Sequence, residues 1–194
     1  ADALREYTDP PRIQPRVSNA LQGNLCEFCV WHLGHEYWDS YTPEYTWPAN
    51  ADSPWRDHSD PGIDILALID ADTGPVLSIV EVKSSRGDGR NLIHGAGSSL
   101  RTDFEHLFSG NVKHRLANRV GDLWFELALR RGQRDLAEKV RSLVGDDPST
   151  CGDVRLTGVL ICTRGTDKLT RARESVFERL KSNLIAQGWQ EHQI

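Results

Sequence analysis

Asp64 stands just inside the apolar run Ile63 to Ile69, and Glu81-Val82-Lys83 closes a second apolar run that starts at Leu77. Charged residues are costly inside a buried sheet unless they are paired or bound to a cation. Side chains alternate along a strand, so Glu81 and Lys83 share a face. A tight hairpin between the two runs sets the start of the first beside the end of the second, which brings Asp64 next to Glu81. Adjacent carboxylates repel, and a divalent cation relieves the repulsion. Oxygen ligands of this kind suit Mg²⁺ or Mn²⁺, with water completing the shell. Lys83 can then orient or deprotonate an attacking water, or steady the charge on a phosphate. The competing reading is an edge hairpin with a solvated Glu–Lys pair.

The rest of the chain supplies elements to position these residues. Pro10, Pro11 and Pro15 argue for an irregular N-terminal arm over residues 1–17. Ser18 is a plausible helix N-cap, and Leu21, Leu25, Phe28, Trp31 and Leu33 recur at helical spacing to about Trp38. Residues 41–61 read as a loop, with one short strand around Tyr45–Trp47. Asp72-Thr73-Gly74-Pro75 is a turn signal between the two apolar strands and predicts an antiparallel hairpin. Residues 84–99 are rich in Gly, Ser and Asn and predict a flexible loop. Helical patterns follow over Arg101–Ser109, Val112–Arg131 and Gln133–Val144. Arg155–Thr163 predicts a further buried strand, and Lys168–Gln187 a long amphipathic helix stopped by Gly188.

Asp64, a spacer, then Glu81-Val82-Lys83 at a strand end resembles the PD-(D/E)XK nuclease superfamily. Pro61-Gly62-Ile63-Asp64 fits that family's habit of placing the Asp at a strand start after a turn, and the order of helix, strands, helices, strand and helix also agrees. Many members carry a Glu on the first helix, in a pattern matched by Gly23-Asn24-Leu25-Cys26-Glu27. The resemblance covers roughly residues 18–185 and rests on few diagnostic residues. It implies a restriction-endonuclease-like core and hydrolysis of phosphodiester bonds, in DNA more than RNA. It also implies metal ligation by Asp64, Glu81 and the Val82 carbonyl, with Glu27 serving a second cation or a water ligand.

The net charge of −5 argues against a protein that coats nucleic acid by bulk electrostatics. The charge is uneven. Residues 1–62 carry four Arg against ten Asp and Glu, whereas residues 113–141 carry eight Lys and Arg against four, and residues 164–181 six against three. Lys113, Arg115 and Arg119 are therefore candidates for backbone contacts, with His114, Arg130, Arg131, Arg134, Arg171 and Arg173 as possible additions. Arg86 and Arg90 lie in the Gly-rich stretch Ser84–Gly97, which reads as a lid over substrate phosphates or as an ordinary loop. Trp47 and Trp55 are candidates to stack on bases. Helix-face charge and burial are the competing readings for these residues.

Cys26-x-x-Cys29-x-x-His32-x-x-His35 suggests zinc, but that spacing drifts around a helix, and zinc rarely takes four ligands from one helix. The four cysteines suggest no disulfide framework, so a reducing, cytoplasmic setting is expected. The polar, Pro-containing start does not resemble a secretory signal, and no apolar run approaches a membrane span.

Together these features predict one α/β domain over residues 1–194, with a small mixed sheet flanked by helices. The expected activity is Mg²⁺- or Mn²⁺-dependent cleavage of nucleic acid. Anti-phage or restriction systems supply one context, with a partner subunit or a homodimer. The alternative is a non-catalytic interaction module with a degenerate nuclease fold.

Overall fold

The structure is a computed structural model that describes residues 15–37, 63–71, 74–109, 114–162 and 167–194. Its centre is a three-stranded mixed sheet of β1 (Ile65–Ala71), β2 (Gly74–Ser85) and β3 (Val154–Cys162), in that spatial order. β1 and β2 run antiparallel, with Ile65 opposite Val80 and Ala71 opposite Gly74, as the hairpin pattern predicts. β3 lies parallel to β2, with Glu81 opposite Gly158. Parallel neighbours need a long crossover, and the helices between β2 and β3 provide it.

Helix α1 (Pro15–Tyr37) covers one face of the sheet. Val30 packs there against Ile65, Val80 and Val82, with Cys26, Trp31, Val159 and Ile161 around them. The helix begins at Pro15, three residues before the expected Ser18 cap. A proline at the first helical position gives up an N–H that has no intrahelical partner, so it does not block a helix start.

The larger core lies on the other face. Leu66, Leu68, Leu77 and Ile79 point into it from the hairpin, and Leu156 from β3. The helices above them are α2 (Arg90–His94), α3 (Leu100–Glu105), α4 (His114–Phe125), α5 (Arg134–Ser142) and α6 (Asp167–Ala186). Burial of each large aliphatic side chain there contributes roughly 1.5–3 kcal/mol. α4 passes into a π-helical turn, Glu126–Arg130, before α5 begins. The stretch 84–99 is more ordered in form than a flexible loop. Ser84 and Ser85 extend β2, α2 buries Ile93 completely, and Ser99 caps α3 by accepting a hydrogen bond from Thr102 N at 3.2 Å.

α6 ends where Gly188 was expected to stop it. Gly188 adopts φ +105°, which lets Trp189 N donate back to Leu184 O at 3.2 Å. Among the described residues, no helix is long and apolar enough to cross a membrane. The expected strand at Tyr45–Trp47 and most of the N-terminal arm lie outside the described residues.

Leu100 of α3 packs closely over β3. A Cβ on Gly158 would lie 2.8 Å from Leu100 Cδ1, so a side chain there would force the buried Leu100 to repack. Gly158→Ala should therefore cost about 1–3 kcal/mol of unfolding free energy, as overpacking does. In denaturant titrations, adding Leu100→Ala to Gly158→Ala should cost less than the sum of the two single changes.

Candidate active site

The site forms where β2 outruns β1. β1 starts at Ile65, while β2 continues to Ser85. The N–H of Val82 on that edge would lose its ladder partner. The chain bends at Asp64, and the Asp64 carboxylate accepts this N–H at 2.7 Å. A backbone donor is thereby satisfied, and Asp64 is fixed beside Glu81, as the hairpin argument predicts. In a ladder, a residue's carbonyl faces the same edge as its N–H, so the Val82 carbonyl looks out beside Asp64.

Glu81 is 2% exposed, which makes it the one buried acidic residue of the described core. It shares a face with Leu77, Ile79 and Lys83. Burial drives its carboxyl well above the usual glutamate range, and the Asp64 and Asp103 charges push the same way. Burial also raises Asp64, although the Val82 N–H and the Lys83 charge oppose this. The two carboxyls lie close enough to influence each other, and that interaction raises Glu81 and lowers Asp64.

Lys83 contacts a residue that the sequence reading did not single out. Its Nζ lies 2.5 Å from Asp103 Oδ2, and both side chains are largely buried. Asp103 occupies the first turn of α3, which Ser99 caps and Leu100 seats against Gly158. Burial works against the Lys83 ammonium. The hydrogen bond and charge of Asp103, reinforced by Asp64 and Glu81, outweigh it and hold the pKa above the usual lysine value. Lys83 therefore stands in this arrangement as a fixed positive charge rather than as a base. An acidic residue in a helix's first turn is common for electrostatic reasons alone. The sequence carried no signal that singled out Asp103.

Glu27 comes from the opposite layer. α1 lies along the end of β2, with Gln22 accepting from Arg86 Nε at 3.0 Å and Cys26 hydrogen-bonded to Ser84. Glu27, next along α1, is close enough to feel both Asp64 and Lys83. Burial pushes its carboxyl up to about 7; the Asp64 charge adds to this and Lys83 partly opposes it.

The expected quartet of Asp64, Glu81, Lys83 and Glu27 is thus gathered at one end of the sheet, with Asp103 as a fifth member. Among the described residues, no group of three or more His, Cys, Asp or Glu side chains is arranged to hold a metal ion. What is present is a close pair of carboxyls with a third carboxyl nearby. Their all-oxygen donor chemistry, with the Val82 carbonyl alongside, fits a hard divalent cation such as Mg²⁺ or Mn²⁺.

The candidate nucleic-acid residues fare unequally. Arg86 and Arg90 are exposed, but Arg86 is tied to Gln22 and Arg90 to Asp88. Arg119 is partly buried, its Nε lacks a hydrogen-bond partner, and burial lowers its pKa. That environment does not suit a residue presented to phosphate. Arg173 turns inward to donate to Asp88 O at 2.7 Å. Lys113 and the Arg115 side chain lie outside the described residues, as do Trp47 and Trp55. The zinc reading gains nothing: Cys26 and Cys29 are free thiols, and His32 stacks on Phe28.

Compared with known proteins, the chain matches no family model, no curated protein and no solved structure.

The raised carboxyls make stability fall as pH rises. Between the ordinary glutamate pKa and about 7, the folded state holds a Glu27 proton that the unfolded state has released. Stability is full below that window and is lost above it. Asp88 and Asp147 are lowered and so act in the opposite sense, in more acidic solution. Thermal melts from pH 5 to pH 8 without divalent ions should show a declining Tm. Glu27→Gln should flatten the decline and stabilise the protein at pH 8 by about 1–3 kcal/mol. A Tm that rises over this range in the unmodified chain would contradict the assignment.

Proposed function

We propose that the chain is a Mg²⁺- or Mn²⁺-dependent nuclease that hydrolyses phosphodiester bonds at the Asp64–Glu81–Lys83 end of β2. One observation carries this reading: the buried Glu81 carboxyl lies beside the largely buried Asp64, on the same face of β2 as the largely buried Lys83. Such a cluster is costly as mere structure, because each buried charge must be paired or neutralised. The order of helix, hairpin, helices, parallel strand and helix supports a restriction-endonuclease-like core. The preference for DNA over RNA rests on the family resemblance alone.

Asp64, Glu81 and the Val82 carbonyl would hold the cation, with Glu27 contributing directly or through water. The cation's contribution, when bound, is to acidify a water and to stabilise negative charge on a phosphate. The protein's own residues do the rest. The Val82 N–H orients Asp64, so that carboxylate is already in place. Lys83 presents a fixed ammonium where charge builds up on the phosphate. Asp103 positions that ammonium. Glu27 has a pKa of about 7 and can release or take a proton near neutrality.

The test uses supercoiled plasmid, linear duplex, single-stranded DNA and RNA with Mg²⁺ or Mn²⁺. Glu81→Gln and Lys83→Ala should each lower the cleavage rate by about 10²–10³-fold while leaving the circular dichroism spectrum unchanged. Cleavage that survives Glu81→Gln would sink the proposal. If no cleavage appears and Mn²⁺ binding is the same in Glu81→Gln, the interaction-module reading gains.

Asp103→Asn should behave as a positioning change. The rate should fall by about tenfold or less. The alkaline limb of the pH–rate profile should move to lower pH, because Lys83 loses its main charge partner. A purely structural role for Asp103 would leave that limb in place.

A further inference from the structure

A cleft of about 640 Å³ opens between α2 and α6, and Ser85 forms part of its wall. Ser85 lies on the same face of β2 as Glu81 and Lys83, two residues beyond Lys83. That is a step of about 7 Å along the strand. The cleft therefore begins where the carboxyl site ends.

Its lining is cationic and hydrogen-bonding over an apolar floor. Arg179, on α6, is exposed and makes no hydrogen bond or ion pair among the described residues. Arg90 is different: Asp88 holds it through Nε at 2.6 Å and Nη2 at 2.5 Å. Arg179 is thus the uncompensated positive charge of the cleft. Ser85 Oγ accepts Gly87 N at 3.0 Å, which leaves its own hydroxyl proton free to donate. Asn91 and Ser175 add polar side chains without hydrogen-bond partners among the described residues, and Val176, 5% exposed, forms the floor.

We propose that this cleft takes one unpaired nucleotide of the substrate strand, which makes single-stranded nucleic acid the preferred substrate. The identity of the ligand rests on the nuclease reading above. A pocket of this volume suits a small molecule or one nucleotide, whereas a base pair with both backbones does not fit. A guanidinium free of internal partners suits a phosphate. The apolar floor accepts the face of a sugar or base, and the amide and hydroxyl groups can meet a base edge.

Binding is read by fluorescence anisotropy in EDTA, which removes cleavage from the measurement. The probes are a labelled single-stranded oligonucleotide and a blunt duplex of the same sequence. The unmodified protein should bind the single strand about tenfold more tightly than the duplex. Ser175→Trp, which fills the cleft, and Arg179→Glu should each remove about that tenfold advantage. Both positions are exposed, so the variants should fold, and their melting curves check this. Equal binding of single strand and duplex by the unmodified protein would overturn the proposal. Unchanged single-strand affinity in both variants would do the same. Because no cleavage is read, the two proposals fail separately. A chain that cuts plasmid but binds the single strand equally in all variants keeps the nuclease reading and loses the cleft. A chain that never cuts but shows the expected binding pattern keeps the cleft and loses the nuclease.

Discussion

The hydrogen bond from Val82 N–H to Asp64 is the contact on which the candidate site depends. It forms because β2 is longer than β1, leaving a backbone donor on β2 without a strand partner. A carboxylate supplies the missing acceptor. That substitution fixes Asp64 next to Glu81, where burial and the Asp64 charge raise the Glu81 carboxyl. Neither carboxyl can leave without exposing an unmet polar group in a buried place.

Three layers then converge on this point. α1 brings Glu27 across the near face, guided by Gln22, Cys26 and Val30 along the end of β2. α3 brings Asp103 across the far face. There Leu100 packs closely against Gly158. The sheet itself carries Glu81 and Lys83 between them. All these groups sit on helices, strands or the bend that opens β1, where packing restrains them more than a loop would. The balance of charge follows from the layers. Lys83 faces Asp103, Asp64, Glu81 and Glu27, so one cation answers four carboxyl groups. The cluster keeps a surplus of negative potential that protons relieve in this structure.

Much of this was legible in the sequence because it follows from local rules. Two apolar runs and the turn signal between them sufficed to predict the antiparallel hairpin, and with it the Asp64–Glu81 neighbourhood. Gly188 marked the end of α6 by its backbone freedom. The misses have a common cause in tertiary contact. Gly, Ser and Asn between residues 84 and 99 suggested a loop, yet burial of Ile93 and capping by Ser99 stabilise two short helices there. Asp103 looked like any acidic residue near a helix start. Only the docking of α3 on the sheet gives it Lys83 as a partner, and no spacing rule encodes a contact across twenty residues.

Charge shows the same limit from the other side. The stretch 113–141 is the most basic by count, and on that ground alone it suggested a phosphate-contacting surface. In the fold, two of those charges are drawn inward: Arg130 pairs with Glu126, and Arg119 is partly buried with a lowered pKa. The α6 stretch is less basic by count, yet it presents Arg179, without a partner among the described residues, beside the end of β2. What recruits an anion is the charge left over after the fold has paired its own groups, in a place where a ligand can enter. By that measure an arginine lining a cleft is better placed to recruit an anion than basic residues spread over an exposed helix face.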